Sequence, residues 1–338
     1  MNRRSVDSRG DGRGFPTSTR ILIVRTSSLG DIVHTLPAIS DIARYVPGAQ
    51  IDWVVEEPFA EIPAWHPAVN EVIPIAHRRW RKTWWQAKTR QERRDVAHRL
   101  HDVRYDVVLD MQSLLKSAWL ARQARGTRHG LDWQSARESM ASLFYDVRHR
   151  VYFWQPAVIR QRLLAGLTFG YEYAGEPDYG LQGFLAEARS DRSRRNYAVI
   201  MPSASRDDKL WPEKDWHAVF ERLRDEVGVP RVLAVNARET ERAQALTAGQ
   251  EGVEVMPRMN LTGVARLLAG ARVMVGLDSG VTHLSAALAR PTVGIYCASS
   301  PVRTPLISQA YAASLGEQGA PPSCDAVLAG VEQALASE

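Results

Sequence analysis

The sequence predicts an α/β protein of two Rossmann-like, doubly wound parallel-sheet domains facing one another across a cleft. Three observations carry this. The chain has 338 residues, too many for one ordinary hydrophobic core. Short Val, Ile and Leu runs alternate with helix-like patterns along it, as in parallel sheets covered on both faces. Each half also carries a turn of small residues between an apolar run and a helix pattern: Thr26-Ser27-Ser28-Leu29-Gly30-Asp31 in the first, Asp278-Ser279-Gly280-Val281-Thr282-His283 in the second. Such turns leave backbone N–H groups free for a phosphate or a sugar hydroxyl.

Taken in order, residues 1–19 are rich in Arg, Gly and Ser. They lack the apolar stretch of a secretory signal and read as a disordered extension. Strands are expected at 21–26, 51–57, 71–76 and 105–112, with helices between them. From about 155 to about 195 the chain offers turn residues and no strong strand, and reads as a linker. This divides it into an N-terminal domain over 20–180 and a C-terminal domain over 181–338. Strands of the second half are expected at 197–204, 231–237, 253–259, 272–279 and 292–297, before a closing helix in the tail DAVLAGVEQALASE. No internal repeat interrupts the pattern.

Composition narrows the function. Hydrophobic residues make up 45% and charged residues 24%, as in a folded globular protein. The apolar runs are strand-sized, short of the roughly 18 residues of a membrane span. Cys297 and Cys324 form no CxxC pair, so neither a disulfide framework nor a zinc site is expected, and with no signal peptide the reducing cytoplasm is the expected compartment. Net charge is +5, yet Arg78 to Arg104 alone carries ten Lys or Arg against three acids, a local +7. Trp80, Trp84 and Trp85 interleave with its cations, a pattern that suits a nucleic acid, an anionic lipid surface or an anionic sugar. The chain has no GxxxxGK[ST] loop and no HExxH, and Gly10, Gly12 and Gly14 follow no strand, which disfavours an ordinary dinucleotide oxidoreductase.

Four candidate positions follow. Asp31 lies where a helix N-cap belongs, at the carboxyl end of the first strand, and capping and catalysis claim it about equally. The Ser279-Gly280 turn suits a pyrophosphate, whereas G-L-D-S-G is not a nucleophile elbow and makes Ser279 a poor nucleophile. His283, one turn further on, is within reach of the same anion or is a satisfied, partly buried histidine. Lys209, in Arg206-Asp207-Asp208-Lys209-Leu210-Trp211-Pro212, is a compact charge for a phosphate, although a solvated charged loop is the simpler reading. Nothing supplies Asp207 and Asp208 with the remaining ligands of a metal.

Together TSSLGDIVHTLPA, WVVEE, RRWRK, GLDWQSARE, RDDKLWP and LDSGVTHLSAAL, in one order from about residue 20 to about residue 296, resemble the lipopolysaccharide heptosyltransferases. These are ADP-heptose glycosyltransferases of the GT-B fold, and RRWRK and RDDKxWP resemble the branch that adds the first heptose. The resemblance implies transfer of heptose from ADP-L-glycero-D-manno-heptose to the inner Kdo of Kdo2-lipid A, with inversion and without metal or cofactor. It places the reaction in the cytoplasm, in peripheral contact with the inner membrane, with no nucleic acid involved. Carried residue by residue, it implies Asp31 as general base and Lys209, with Ser205 nearby, against the departing ADP. Ser279 and Gly280 would hold the pyrophosphate, Asp278 and His283 the heptose and phosphates, and Glu239 and Met259 the nucleoside or sugar. Ser28 and Gly30 would meet the acceptor, and Arg78, Arg81 and Lys82 its Kdo carboxylates and phosphates. Ser205 and Ser279 stand where threonine is familiar, and ASSPVRTPL after Cys297 replaces a glycine-rich, T-D-P-like turn. Competing readings are a related transferase with another donor or acceptor and a non-catalytic nucleic-acid binder. The binder predicts steep salt dependence and leaves both anion-type turns unused.

Overall fold

The apolar strand that opens each half lies near the centre of a sheet. In the computed structural model, which describes residues 18–190, 196–204 and 206–337, β1 (Arg20–Val24), β2 (Gln50–Glu56), β3 (Val69–Ile75), β4 (Arg104–Asp110), β5 (Arg125–Leu131) and β6 (Val147–His149) form one sheet. The other holds β7 (Tyr197–Met201), β8 (Val229–Val232), β9 (Glu254–Val255), β10 (Val273–Leu277), β11 (Thr292–Ile295) and β12 (Ala312–Leu315). Their orders are β3-β2-β1-β4-β5-β6 and β12-β11-β10-β7-β8-β9, and the strands pair in parallel. Both halves thus share one doubly wound topology. Winding reverses between β1 and β4 and again between β7 and β10, and ligands bind beyond the carboxyl ends of strands at such points.

Several expectations need correction. β5, β6 and β12 were not anticipated: β6 and β12 are edge strands, and RGTRHGL, VRH and AASL lack the apolar run of a strand buried on both faces. The apolar stretches at 197–204, 231–237 and 253–259 give shorter strands, because residues beyond β7, β8 and β9 leave the sheets as loops. The expected linker contains helices Ala157–Phe169 and Gln182–Ser190. The first buries Gln161, Arg162 and Thr168 along with Val158, Leu164, Ala165 and Phe169, and leaves Leu167 exposed, so no clean apolar stripe betrays it. It packs on helix Leu36–Tyr45, where the buried Arg162 guanidinium holds the Asp41 carboxylate through Nε at 2.7 Å and Nη2 at 3.0 Å. Of the expected extension, residues 1–17 lie outside the described residues. Thr19 is fully buried, and its carbonyl accepts from Gln50 N at 2.8 Å.

One apolar core runs through both halves. Ile32, Val33 and Leu36 belong to the same cluster as Val264, Leu268, Val281 and Leu284. Here helix Leu29–Val33 meets helix Gly280–Ala287. A Cβ on Gly280 would lie 2.6 Å from Leu29 Cβ and 2.7 Å from Gly30 N, so glycine is what lets the two elements touch. The two turns singled out in the sequence therefore face each other directly.

Candidate active site

Asp31 is not the N-cap residue of its helix. Ser28 is the N-cap and Asp31 the third helical residue, which reaches back to form a capping box. The Ser28 backbone N–H and Oγ both donate to Asp31 Oδ2 at 3.0 Å, and Arg25 Nη2 lies 2.7 Å from Oδ1. Arg25 is itself buried and donates through Nη1 to the Met111 carbonyl. Burial alone would raise the Asp31 pKa, but the Arg25 charge and the Ser28 hydrogen bonds outweigh it and hold the group at about 2. Asp31 is thus ionised and fixed in direction at neutral pH. A carboxylate held this low is a weak base at rest. It suits a step in which a hydroxyl surrenders its proton only as its oxygen bonds to an electrophilic carbon.

A chain of polar groups runs from the second half to the first. Lys209 Nζ lies 2.7 Å from Asp278 Oδ2, His283 Nε2 lies 3.1 Å from Asp278 Oδ1, and His283 Nδ1 lies 3.1 Å from His34 Nε2. Burial, then the neighbouring His283, pushes the His34 imidazole down to about 3, so it is neutral. The network assigns the tautomers: His283 donates through Nε2 to the carboxylate and accepts at Nδ1 from His34 Nε2–H. Burial opposes the charge on Asp278, but the bonds from His283 and Lys209 hold its carboxyl well below the usual range. Each imidazole thereby fixes the next across the boundary between the halves.

Asp31 and the Lys209–Asp278 end of this chain open on one cavity of about 420 Å³, lined by Arg25, Asp31 and Gln112 from the first half and Lys209, Asp278 and Ser299 from the second. A larger groove, about 660 Å³, lies between Arg90, Arg94, Lys116 and Trp119. It contains no carboxylate and draws on one half only, so its size does not make it the reacting site.

Among the other expected residues, Ser279 caps the helix Gly280–Ala287, its Oγ accepting from Thr282 N at 3.3 Å. Glu239 is buried, and its carboxylate accepts from Val235 N at 3.0 Å and Asn236 Nδ2 at 2.7 Å. Met259 is half-buried, and Ser205 lies outside the described residues. Arg78, Arg81 and Lys82 ride on helix His77–Lys82 and are exposed; they do not line the cleft cavity. Of the three tryptophans beside them, Trp80 is core, donating to Glu92 Oε2 at 2.6 Å, while Trp84 and Trp85 are exposed. Asp207 pairs with Arg238 and Arg242, and Asp208 with Arg206. Among the described residues no three His, Cys, Asp or Glu side chains gather as a metal site would require. Sequence reasoning missed Arg25, His34, Arg160 and Arg303. His34 had a legible signal, since it follows Asp31 by three residues and so shares its helix face.

Comparison with known proteins gives a consistent answer. Residues 93–327 match the family described as Glycosyltransferase family 9 (heptosyltransferase). The chain is 47% identical over 286 residues to Lipopolysaccharide heptosyltransferase 1 of Escherichia coli (strain K12), covering 83% of this chain and 89% of that protein. It superposes on E. coli heptosyltransferase WaaC with ADP at a TM-score of 0.85 and 42% identity, over 93% of this chain and 99% of that one. For WaaC with ADP-2-deoxy-2-fluoro heptose the TM-score is 0.80 at 41% identity, over 93% and 98%. The paired doubly wound sheets are the GT-B arrangement expected from the sequence.

Proposed function

Because this chain belongs to glycosyltransferase family 9, the heptosyltransferases, we propose that it transfers L-glycero-D-manno-heptose from ADP-heptose to the inner Kdo of Kdo2-lipid A, inverting the anomeric carbon. One observation carries the reading: a single cavity holds Asp31 from the first half and the Lys209–Asp278 pair from the second. The N-terminal domain, 20–180, receives the acceptor and the C-terminal domain, 181–338, the donor. The acceptor hydroxyl oxygen bonds to C1 of the heptose, the bond from C1 to the β-phosphate oxygen breaks, Asp31 receives the hydroxyl proton, and ADP leaves.

Charge that develops on ADP is met by the Lys209 ammonium, held ready by Asp278, and by N–H groups of the turn at Ser279 and Gly280. Fixed charges then serve where a metal would otherwise be needed. Ser205, Glu239 and Met259 lie on the nucleoside side, and His283 orients Asp278 toward the sugar. Arg78, Arg81 and Lys82 meet acidic groups of the acceptor outside the cleft. No helix among the described residues is long and apolar enough to cross a membrane. The exposed Trp84 and Trp85 beside a basic segment support peripheral contact with the anionic cytoplasmic leaflet that anchors the acceptor.

The test is ADP release from ADP-heptose with and without deacylated Kdo2-lipid A, in EDTA, for wild type and Asp31→Ala. Acceptor-dependent release that survives EDTA and disappears in the variant is expected. No release with this acceptor from a folded protein, or release unchanged in Asp31→Ala, would overturn the reading.

A further inference from the structure

The segment after β11 departs from the family's glycine-rich turn, and the structure carries it across the cleft. Arg303 O accepts a hydrogen bond from Ala157 N at 2.9 Å, joining the second half to the first. The Arg303 guanidinium lies over the Phe153 ring, 4.0 Å from its centroid, and Arg160, from the helix Ala157–Phe169, lies 5.1 Å from the same centroid. Phe153 is 46% exposed and lines the cleft cavity with Arg160, Arg303, Arg25 and Asp31.

Arg25, Arg160 and Arg303 thus share the cavity with the Asp31 carboxylate, which Arg25 already holds. Arg160 donates through Nη2 to the Ser135 carbonyl at 3.1 Å, while its buried Nε has no partner. Burial, then the Arg25 and Arg303 charges, lowers the Arg160 pKa, the mark of a cation short of a counter-ion. Neither Arg160 nor Arg303 has a carboxylate partner among the described residues. Two planar forks over one aromatic ring, beside the group that receives the proton, suit an oxyanion with two equivalent oxygens.

We propose that Arg160 and Arg303, one from each half, form a carboxylate subsite around Phe153 that holds the acid group of the acceptor sugar beside the hydroxyl activated by Asp31. This rests on the reading of the chain as a heptosyltransferase with a sugar-acid acceptor. The donor diphosphate is the other source of such an anion. It already has Lys209 and the turn at Ser279, whereas Arg160 shares its half of the molecule with Asp31.

Arg303 is exposed, so Arg303→Gln leaves the fold intact, and Arg160→Gln serves as the second variant. With donor and acceptor varied separately, each variant should raise the acceptor KM about ten- to a hundredfold, as loss of a charge-assisted bond does, and leave the donor KM unchanged. The acceptor's carboxyl methyl ester should show the same rise with wild type and none further with Arg303→Gln. A raised donor KM with an unchanged acceptor KM would assign the anion to the diphosphate and overturn the proposal, as would an ester that serves wild type as well as the acid. Calorimetry of free Kdo and its methyl ester, with ADP present, separates this from the parent reading. Acid-selective, Arg303-dependent binding by a protein that transfers no heptose would uphold the subsite and overturn the reading. Equal binding or none would overturn the subsite.

Discussion

Replacing Gly280 by alanine tests whether the contact between the two facing turns sets the catalytic geometry. The added Cβ would sit 2.6 Å from Leu29 Cβ and Cγ and 2.7 Å from Gly30 N. Ordinary contacts between such atoms are about 3.5–4.0 Å, so one helix must retreat by roughly 1 Å. The Gly30 nitrogen is backbone and cannot swing aside. Asp31 lies on one of these helices, and Asp278 and His283 lie at the start of the other. The retreat therefore separates the proton acceptor from Lys209 and Asp278 by the same distance, and misplacement by about 1 Å costs about a hundredfold. Gly280→Ala should lower kcat for ADP release about that much at saturating substrates. Its thermal midpoint should fall only moderately, because overpacking costs about 1–3 kcal/mol when nothing can yield and here the halves can part. Small-angle scattering should show a slightly more open particle. Gly30→Ala is the packing control: its Cβ would meet Gly280 Cα at 3.5 Å and His283 Cδ2 at 3.7 Å, ordinary contacts, so its thermal midpoint and scattering profile should stay close to wild type. A fully active Gly280→Ala, or a Gly30→Ala that opens the particle as much, would refute the reasoning.

Asp31→Asn removes the proton acceptor and should lower kcat by about 10²–10⁴ with donor binding retained by calorimetry. Because Asp31 is ionised above about 2, it should impose no limb on the rate profile between about pH 5 and 8; a limb there that vanishes in Asp31→Asn would be inconsistent with its setting. Asp41→Ala leaves the Arg162 guanidinium, 2% exposed, buried without its partner. It should cost about 3–5 kcal/mol in urea unfolding, a loss that Arg162→Met in the same chain should partly restore. His34 titrates at about 3 when folded against 6.5 for the free group, so between these values the unfolded chain binds the proton first. Its contribution to stability is flat above about pH 6.5 and falls below it by up to about 1.4 kcal/mol per pH unit. His34→Gln should flatten part of the loss of stability between pH 7 and 5. His66 and His129, each lowered to about 4, account for a share that remains, whereas Asp31, lowered from 3.8, weighs in only at lower pH.

What could be read from the sequence follows from how local each signal is. β1, β2, β4, β7, β10 and β11 announce themselves because strands buried on both faces need uninterrupted apolar runs. β6 and β12, at the sheet edges, need none. The helix Ala157–Phe169 escaped because its buried face carries Gln161, Arg162 and Thr168 while Leu167 is exposed, so the apolar 3.6-residue period that marks a surface helix is blurred. At the site, Asp31, Lys209, Asp278 and Gly280 lie in the loops and first helical turns that follow β1, β7 and β10, where small and charged residues stand out. Arg25 and Arg160 lie far apart along the chain and meet only through packing within the first half, and the docking of the second half adds Arg303. Gly280 was legible as an important residue for an incomplete reason: its lack of a side chain serves the approach of a second helix as well as any anion.

The apolar core that passes from Ile32 and Leu36 to Val281 and Leu284 also bears on how separable the lobes are. If the chain were severed between its sheets, each fragment would carry a raw hydrophobic wound where the other had been, and neither is expected to stay dispersed when expressed alone. Mixed during refolding, the fragments should instead find each other and recover activity. Parts joined in this way behave less like two beads on a string than like the jaws of a hinge that shares its pin. Any rocking of the lobes to admit a substrate would have to turn about that buried seam.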